Sequence, residues 1–125
     1  MKCNEDIKIR WEITDPKGRR IILKQSTYEE HICKDHLLED AEYRKSAESQ
    51  AKETIKNPQL IVVDKEDNDR LIYYKIIRIP YGERKRLKNM KVIVDSDRKP
   101  YEVVTWIIQS KLKDTIMEEW IEYAN

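Results

Sequence analysis

Four runs of β-branched and aromatic residues, Leu60–Val63, Arg70–Ile79, Met90–Val94 and Tyr101–Ile108, follow one another through the second half of the chain with no helical stretch between them. Such residues suit the pleated, half-buried surface of a sheet. The runs are separated by Glu66-Asp67-Asn68-Asp69, by a basic loop, and by Ser96-Asp97-Arg98-Lys99-Pro100. Connections this short favour antiparallel neighbours, because a parallel crossover needs a dozen or more residues. The four runs therefore predict an antiparallel meander, and the rest of the chain has to pack against it.

Upstream, Ile7, Ile9, Trp11 and Ile13 alternate, and Asp15-Pro16-Lys17-Gly18 supplies turn chemistry before Ile21-Ile22-Leu23, which reads as a β-hairpin. Ser26-Thr27-Tyr28-Glu29 follows as a capping box, so a first helix is expected to begin there. A second is expected from about Ala41 to Ile55, stopped by Asn57-Pro58. Near the end, Ile116, Met117, Trp120 and Ile121 fall at helical spacing, which predicts an amphipathic helix over about 111–123. The expected fold class is α+β in a single domain, 1–125: an N-terminal β-hairpin and helices packed on a four-stranded antiparallel β-meander, with a C-terminal helix.

Charge narrows the functional classes. Lys and Arg number 25 against 24 Asp and Glu, a formal net charge of +1, so affinity for phosphate has to come from local segregation. Two cysteines, Cys3 and Cys33, make no disulfide framework and fit a reducing, cytoplasmic setting. The N-terminus lacks the apolar core of a secretory signal, and no stretch approaches the roughly 20 apolar residues of a membrane span. The two glycines, Gly18 and Gly82, form no Walker loop, and two histidines with two scattered cysteines make no zinc set of recognisable spacing, so no metal and no cofactor are expected.

The two histidines, His31 and His36, could supply both partners of a proton transfer without a metal, since imidazole titrates near neutrality. Five helical residues turn through about 500°, which leaves the pair roughly 140° apart, so at most one is central unless the helix ends between them. A packed helix face for His31 and a helix C-terminus for His36 serve equally as explanations. In the strand Arg70–Ile79, Arg70, Tyr74 and Arg78 share one face while Tyr73 and Lys75 share the other. A cation beside a ring can hold a phosphate while the ring stacks on a base, or the same residues can fill and border a core. The densest basic segment contains Arg84, Lys85, Arg86 and Lys88, with Lys91 after it, and suits several phosphates or an ordinary solvated connection. Thr105 interrupts an otherwise apolar strand and could orient a phosphate or an imidazole, although threonine is at home in strands.

Taken in order, Tyr28-Glu29-Glu30-His31-Ile32 with His36, Thr54–Pro58, Leu71-Ile72-Tyr73-Tyr74-Lys75 and Val103-Val104-Thr105-Trp106 resemble the small phage- and mobile-element-associated nuclease-like domains of the barnase–EndoU–colicin–RelE class, over about residues 19–108. The resemblance implies a metal-independent endoribonuclease, toxin-like or mobile-element in role. It implies His31, His36, Lys75 and Thr105 as catalytic residues and Tyr73 or Tyr74 at the site; the charge pattern adds Arg78, Arg84, Lys85 and Arg86 to Tyr73 and Tyr74 as RNA-binding candidates, with RNA and an antitoxin or immunity-type protein as the expected partners. The chain departs from the pattern in Leu37-Leu38-Glu39, where relatives carry a proline, and in the bulky Trp106. A catalytically inactive RNA- or protein-binding module is the alternative.

Overall fold

The computed structural model describes residues 8–33, 47–64, 66–81, 84–112 and 114–125. Seven strands, β1 (Ile9–Thr14), β2 (Arg20–Lys24), β3 (Leu60–Val63), β4 (Arg70–Tyr81), β5 (Arg84–Asp95), β6 (Tyr101–Gln109) and β7 (Ile121–Ala124), form one sheet in the order β1-β2-β6-β5-β4-β3-β7. Helical structure is sparse among the described residues: α1 (Gln25–Thr27) runs directly into a π-helical turn (Tyr28–Ile32), and α2 (Glu48–Lys56) stands alone.

This overturns the expected fold class. A seven-stranded mixed sheet replaces a four-stranded meander layered with helices. The hairpin β1–β2 joins the sheet by pairing β2 parallel to β6, Ile21 opposite Tyr101 and Ile22 opposite Glu102. Among the described residues the C-terminal helix does not form either: ahead of the end of the chain stand a 3-10 turn (Glu118–Trp120) and β7, which pairs antiparallel with β3. β3 has a second edge whose backbone groups need partners, and satisfying them outweighs the local helical spacing of Ile116, Met117 and Trp120. At the first helix, the capping box does not form, because Lys24 stands at the N-cap and no side chain caps it. His36 and residues 41–46 of the expected second helix lie outside the described residues.

The β1–β2 turn shows why the sheet cannot be flat. Gly18, at φ +81°, takes the left-handed conformation that closes the loop, its amide donating to Asp15 O (2.9 Å). From this turn, Arg19 Nη1 reaches Glu122 Oε1 on β7 at 2.5 Å, and Asp15 accepts from the Tyr73 hydroxyl on β4 at 2.6 Å. In a flat sheet, five strand spacings separate β2 from β7, about 24 Å at about 4.8 Å each, well beyond an arginine's reach. The sheet is therefore curled so that its first turn meets its last strand.

The core fills the concave face of this curl. Ile21, Leu23, Ile61, Tyr73, Met90, Val92, Val94 and Trp106 line it, and Ile32 of the π-turn with Ala51 and Ile55 of α2 plug it. Trp106 stacks near Trp11, ring centroids 6.4 Å apart. Charged side chains from the strands hold α2 at both ends. Glu48, at its start, accepts from Arg10 Nε (2.6 Å) and Trp11 Nε1 (2.7 Å); at its end, Lys75 Nζ donates to Asn57 O (2.6 Å), a cation at the negative end of the helix dipole.

Candidate functional site

Of the catalytic candidates, His36 lies outside the described residues, and Lys75, Thr105 and His31 stand on different parts of the fold. Lys75 pairs with Met90 and alternates with Tyr73 and Ile77, which sets it on the core side, where it closes the end of α2. Thr105 pairs with Ile93, out of phase with the buried pair Val92 and Trp106, so it belongs to the opposite side of the sheet. His31 is exposed on the π-turn, beside Ile32, which packs into the core.

Tyr73 and Tyr74 are both buried, 0% and 6% exposed, which leaves neither ring open to a stacking base. Tyr73 donates to Asp15 Oδ2, whose carboxylate also takes Arg19 Nε (2.8 Å) and, through Oδ1, the Lys17 and Arg19 amides at 2.9 Å each. Burial alone would raise the Asp15 carboxyl, but the Tyr73 and Arg19 hydrogen bonds prevail and hold it below the ordinary aspartate value. Burial, followed by the bond to Asp15, pushes the Tyr73 phenol far above its usual value. On the other face, Tyr74 donates to Asp114 Oδ2 (2.7 Å), which also takes Lys91 Nζ (2.9 Å). These tyrosines serve the fold, one closing the curl and one fastening the segment that leads to β7.

The basic segment is not a loop. Residues 84–95 form a strand, and β4 and β5 pair in unbroken register from Arg70 opposite Asp95 to Tyr81 opposite Arg84. Their neighbours stop short: β3 covers β4 only from Leu71 to Tyr74, and β6 covers β5 only from Asn89 to Asp95. Beyond Ile76 on β4 and before Asn89 on β5, no described strand flanks the hairpin, so it continues as a two-stranded ribbon. Five residues per arm give it a reach of about 17 Å. Between Ile76 and Asn89 the sequence holds five cations, Arg78, Arg84, Lys85, Arg86 and Lys88, against one acid, Glu83.

Two apolar residues on the ribbon lie open to solvent, Ile76 at 51% and Leu87 at 63%. Arg78, directly opposite Leu87, is exposed, while Lys88 Nζ reaches Ser110 Oγ (2.7 Å). Pro80 is tolerated because the ribbon edge has no ladder partner for the amide it lacks. Neither Ile76 nor Leu87 stands out in the sequence as a site residue. The signal available there is a mismatch of lengths: a four-residue run at Leu60–Val63 cannot flank the ten residues Arg70–Ile79.

Among the described residues, no group of three His, Cys, Asp or Glu side chains is arranged to hold a metal ion, and no helix is long and apolar enough to cross a membrane. Compared with family models, curated proteins and solved structures, the chain matches none.

Proposed function

We propose that this chain is a cytoplasmic RNA-binding module whose basic β4–β5 ribbon lies along the phosphodiester backbone. The observation that carries this reading is the segregation of charge: a chain of net charge +1 concentrates five cations and one acid on a projecting hairpin. Cations also guard sheet edges against unwanted pairing. Edge protection, however, does not explain Ile76 and Leu87 left half or more exposed on the same ribbon, where a charged pair would guard better. A phosphate-gripping ribbon with an apolar patch for sugar and base edges accounts for both. With Tyr73 and Tyr74 buried, recognition rests on backbone phosphates, so affinity is expected to depend strongly on salt and weakly on sequence.

A labelled RNA of about 20 nucleotides, titrated with the wild type and with Lys85→Glu/Arg86→Glu, tests the reading at moderate salt. The wild type should bind, and the double variant should lose at least about tenfold in affinity, since each phosphate contact carries a share of the electrostatic term. Equal binding by the two proteins sinks it.

The endoribonuclease reading has one observation in its favour, an exposed His31 on a π-turn, a geometry often found at functional sites. It requires cleavage of RNA in EDTA, sparing of DNA, and loss of cleavage in His31→Ala. RNA bound and left intact supports the binding module alone.

A further inference from the structure

The two long edges of the β4–β5 ribbon are finished differently. In an antiparallel pair, alternate residues turn their backbone groups toward the partner strand and the others turn them outward. The Ser96 amide donates to Asp69 O (2.7 Å), which makes Asp69 and Ser96 an inward pair. Counting by twos along the unbroken register, Tyr73, Lys75, Ile77 and Ile79 face β5, while Tyr74, Ile76, Arg78 and Pro80 face away from it. On β5, the same count turns Lys85, Leu87 and Asn89 outward.

The β4 edge is closed. The Ile76 amide donates to Gln59 Oε1 (2.8 Å), and Pro80 has no amide to offer, so only Arg78 between them keeps an outward donor. The β5 edge is open. β6 ends at Gln109, opposite Asn89, and the chain bends away at Ser110 and Lys111. Beyond that point Lys85 and Leu87 turn two amides and two carbonyls outward, and among the described residues no backbone group bonds to them. Leu87 is 63% exposed, so no other part of the chain covers its side chain.

A partner for this edge has to donate as well as accept. Phosphates only accept, so an RNA held by its phosphates leaves the two carbonyls unfilled. A second copy of the edge would set Arg84, Lys85, Arg86 and Lys88 against the same four cations, and like charges across a strand pair are destabilising. An extended acidic peptide meets both demands: its backbone continues the ladder, its carboxylates face the cations, and an apolar residue lies beside Leu87.

We infer that the outer edge of β5, from Lys85 to Leu87, takes an added strand, an extended segment of a partner protein in which acidic and apolar residues alternate. The inference does not rest on RNA binding, although both ligands contend for the same cations.

The test is an amide NMR and hydrogen-exchange experiment on the full chain with a short blocked peptide alternating glutamate and valine. The peptide should bind and slow exchange at the Lys85 and Leu87 amides at least about tenfold, while the inward Ile77 and Lys88 amides change little. Leu87→Pro removes one outward amide, keeps every cation and spares the β4–β5 ladder. It should bind the peptide about tenfold more weakly, whereas Leu87→Thr, which keeps the amide, should stay within about threefold of wild type. If the proline variant loses the wild-type spectrum, the same peptide N-methylated throughout replaces it as the control and should lose the same factor against wild type. The inference is overturned if the glutamate peptide does not bind, binds without slowing exchange at Lys85 and Leu87, or binds equally well when the amide on either side is removed. It gives way to self-association if both amides are protected in the free protein in proportion to its concentration, and to RNA if a single-stranded RNA protects them and the peptide does not.

Discussion

Asp15 is 4% exposed and yet ionised, because four donors converge on it: the Lys17 and Arg19 amides, Arg19 Nε and the Tyr73 hydroxyl. A buried carboxylate is tolerable only when its lone pairs are filled in this way. Tyr73→Phe removes one donor and nothing else of the ring, so it should cost about 1–3 kcal/mol in urea unfolding. An unchanged midpoint would show that the bond does not matter to the fold. The pH dependence follows from the same geometry. The folded Asp15 carboxyl titrates below its ordinary value of 3.8, so its contribution is present in full above that value and is lost as the pH falls through the depressed folded one. Asp15→Asn should therefore be less stable than wild type near neutrality, and its stability should fall less steeply on the acid side. From sequence, Asp15 was legible as a turn residue and Tyr73 as a strand aromatic. Nothing in the sequence indicated that they meet, since the contact spans 58 positions and depends on the curl of the whole sheet.

β3, β4 and β6 fall within two residues of where the β-branched runs predict them, because short apolar runs bounded by turn residues carry a strong local signal, whereas β5 begins at Arg84, six residues ahead of its predicted start. The C-terminal segment does not follow its local pattern. Ile116, Met117, Trp120 and Ile121 have helical spacing, but β7 is decided by pairing with β3, a partner about 60 residues earlier. The ribbon was half legible: its composition was plain, whereas its strand geometry depends on β5 running in register with β4 to its end. Two outcomes belong to this scale. Ile55→Ala leaves a hole where α2 plugs the core and should cost about 2–4 kcal/mol, read by thermal or urea unfolding. Asp114→Ala releases the segment before β7 from Tyr74 and Lys91; hydrogen exchange at the β7 amides, Ile121–Ala124, should quicken, while global stability falls by only about 1 kcal/mol because the site is part-exposed. Exchange that stays at the wild-type rate would mean that something other than Asp114 holds this segment.

At the scale of the whole molecule, the curled sheet divides the chain's work. Its concave face holds the core, its first turn and last strand close on each other through Arg19 and Glu122, and one hairpin is long enough to project beyond every described neighbour. Near-neutral overall charge concealed this, since a balance over 125 residues says nothing about where cations gather. If the ribbon is the nucleic-acid surface, neutralising its cations should remove RNA affinity and leave the unfolding midpoint unchanged. The most direct measurement is the slope of log affinity against log salt for single-stranded RNA. With about four phosphates engaged, the wild type should give a slope near −3, and Arg78→Ala with Lys85→Ala and Arg86→Ala should flatten it to about −1 at unchanged unfolding midpoint. A slope that is the same in both proteins, or affinity indifferent to salt, would contradict the assignment of the ribbon.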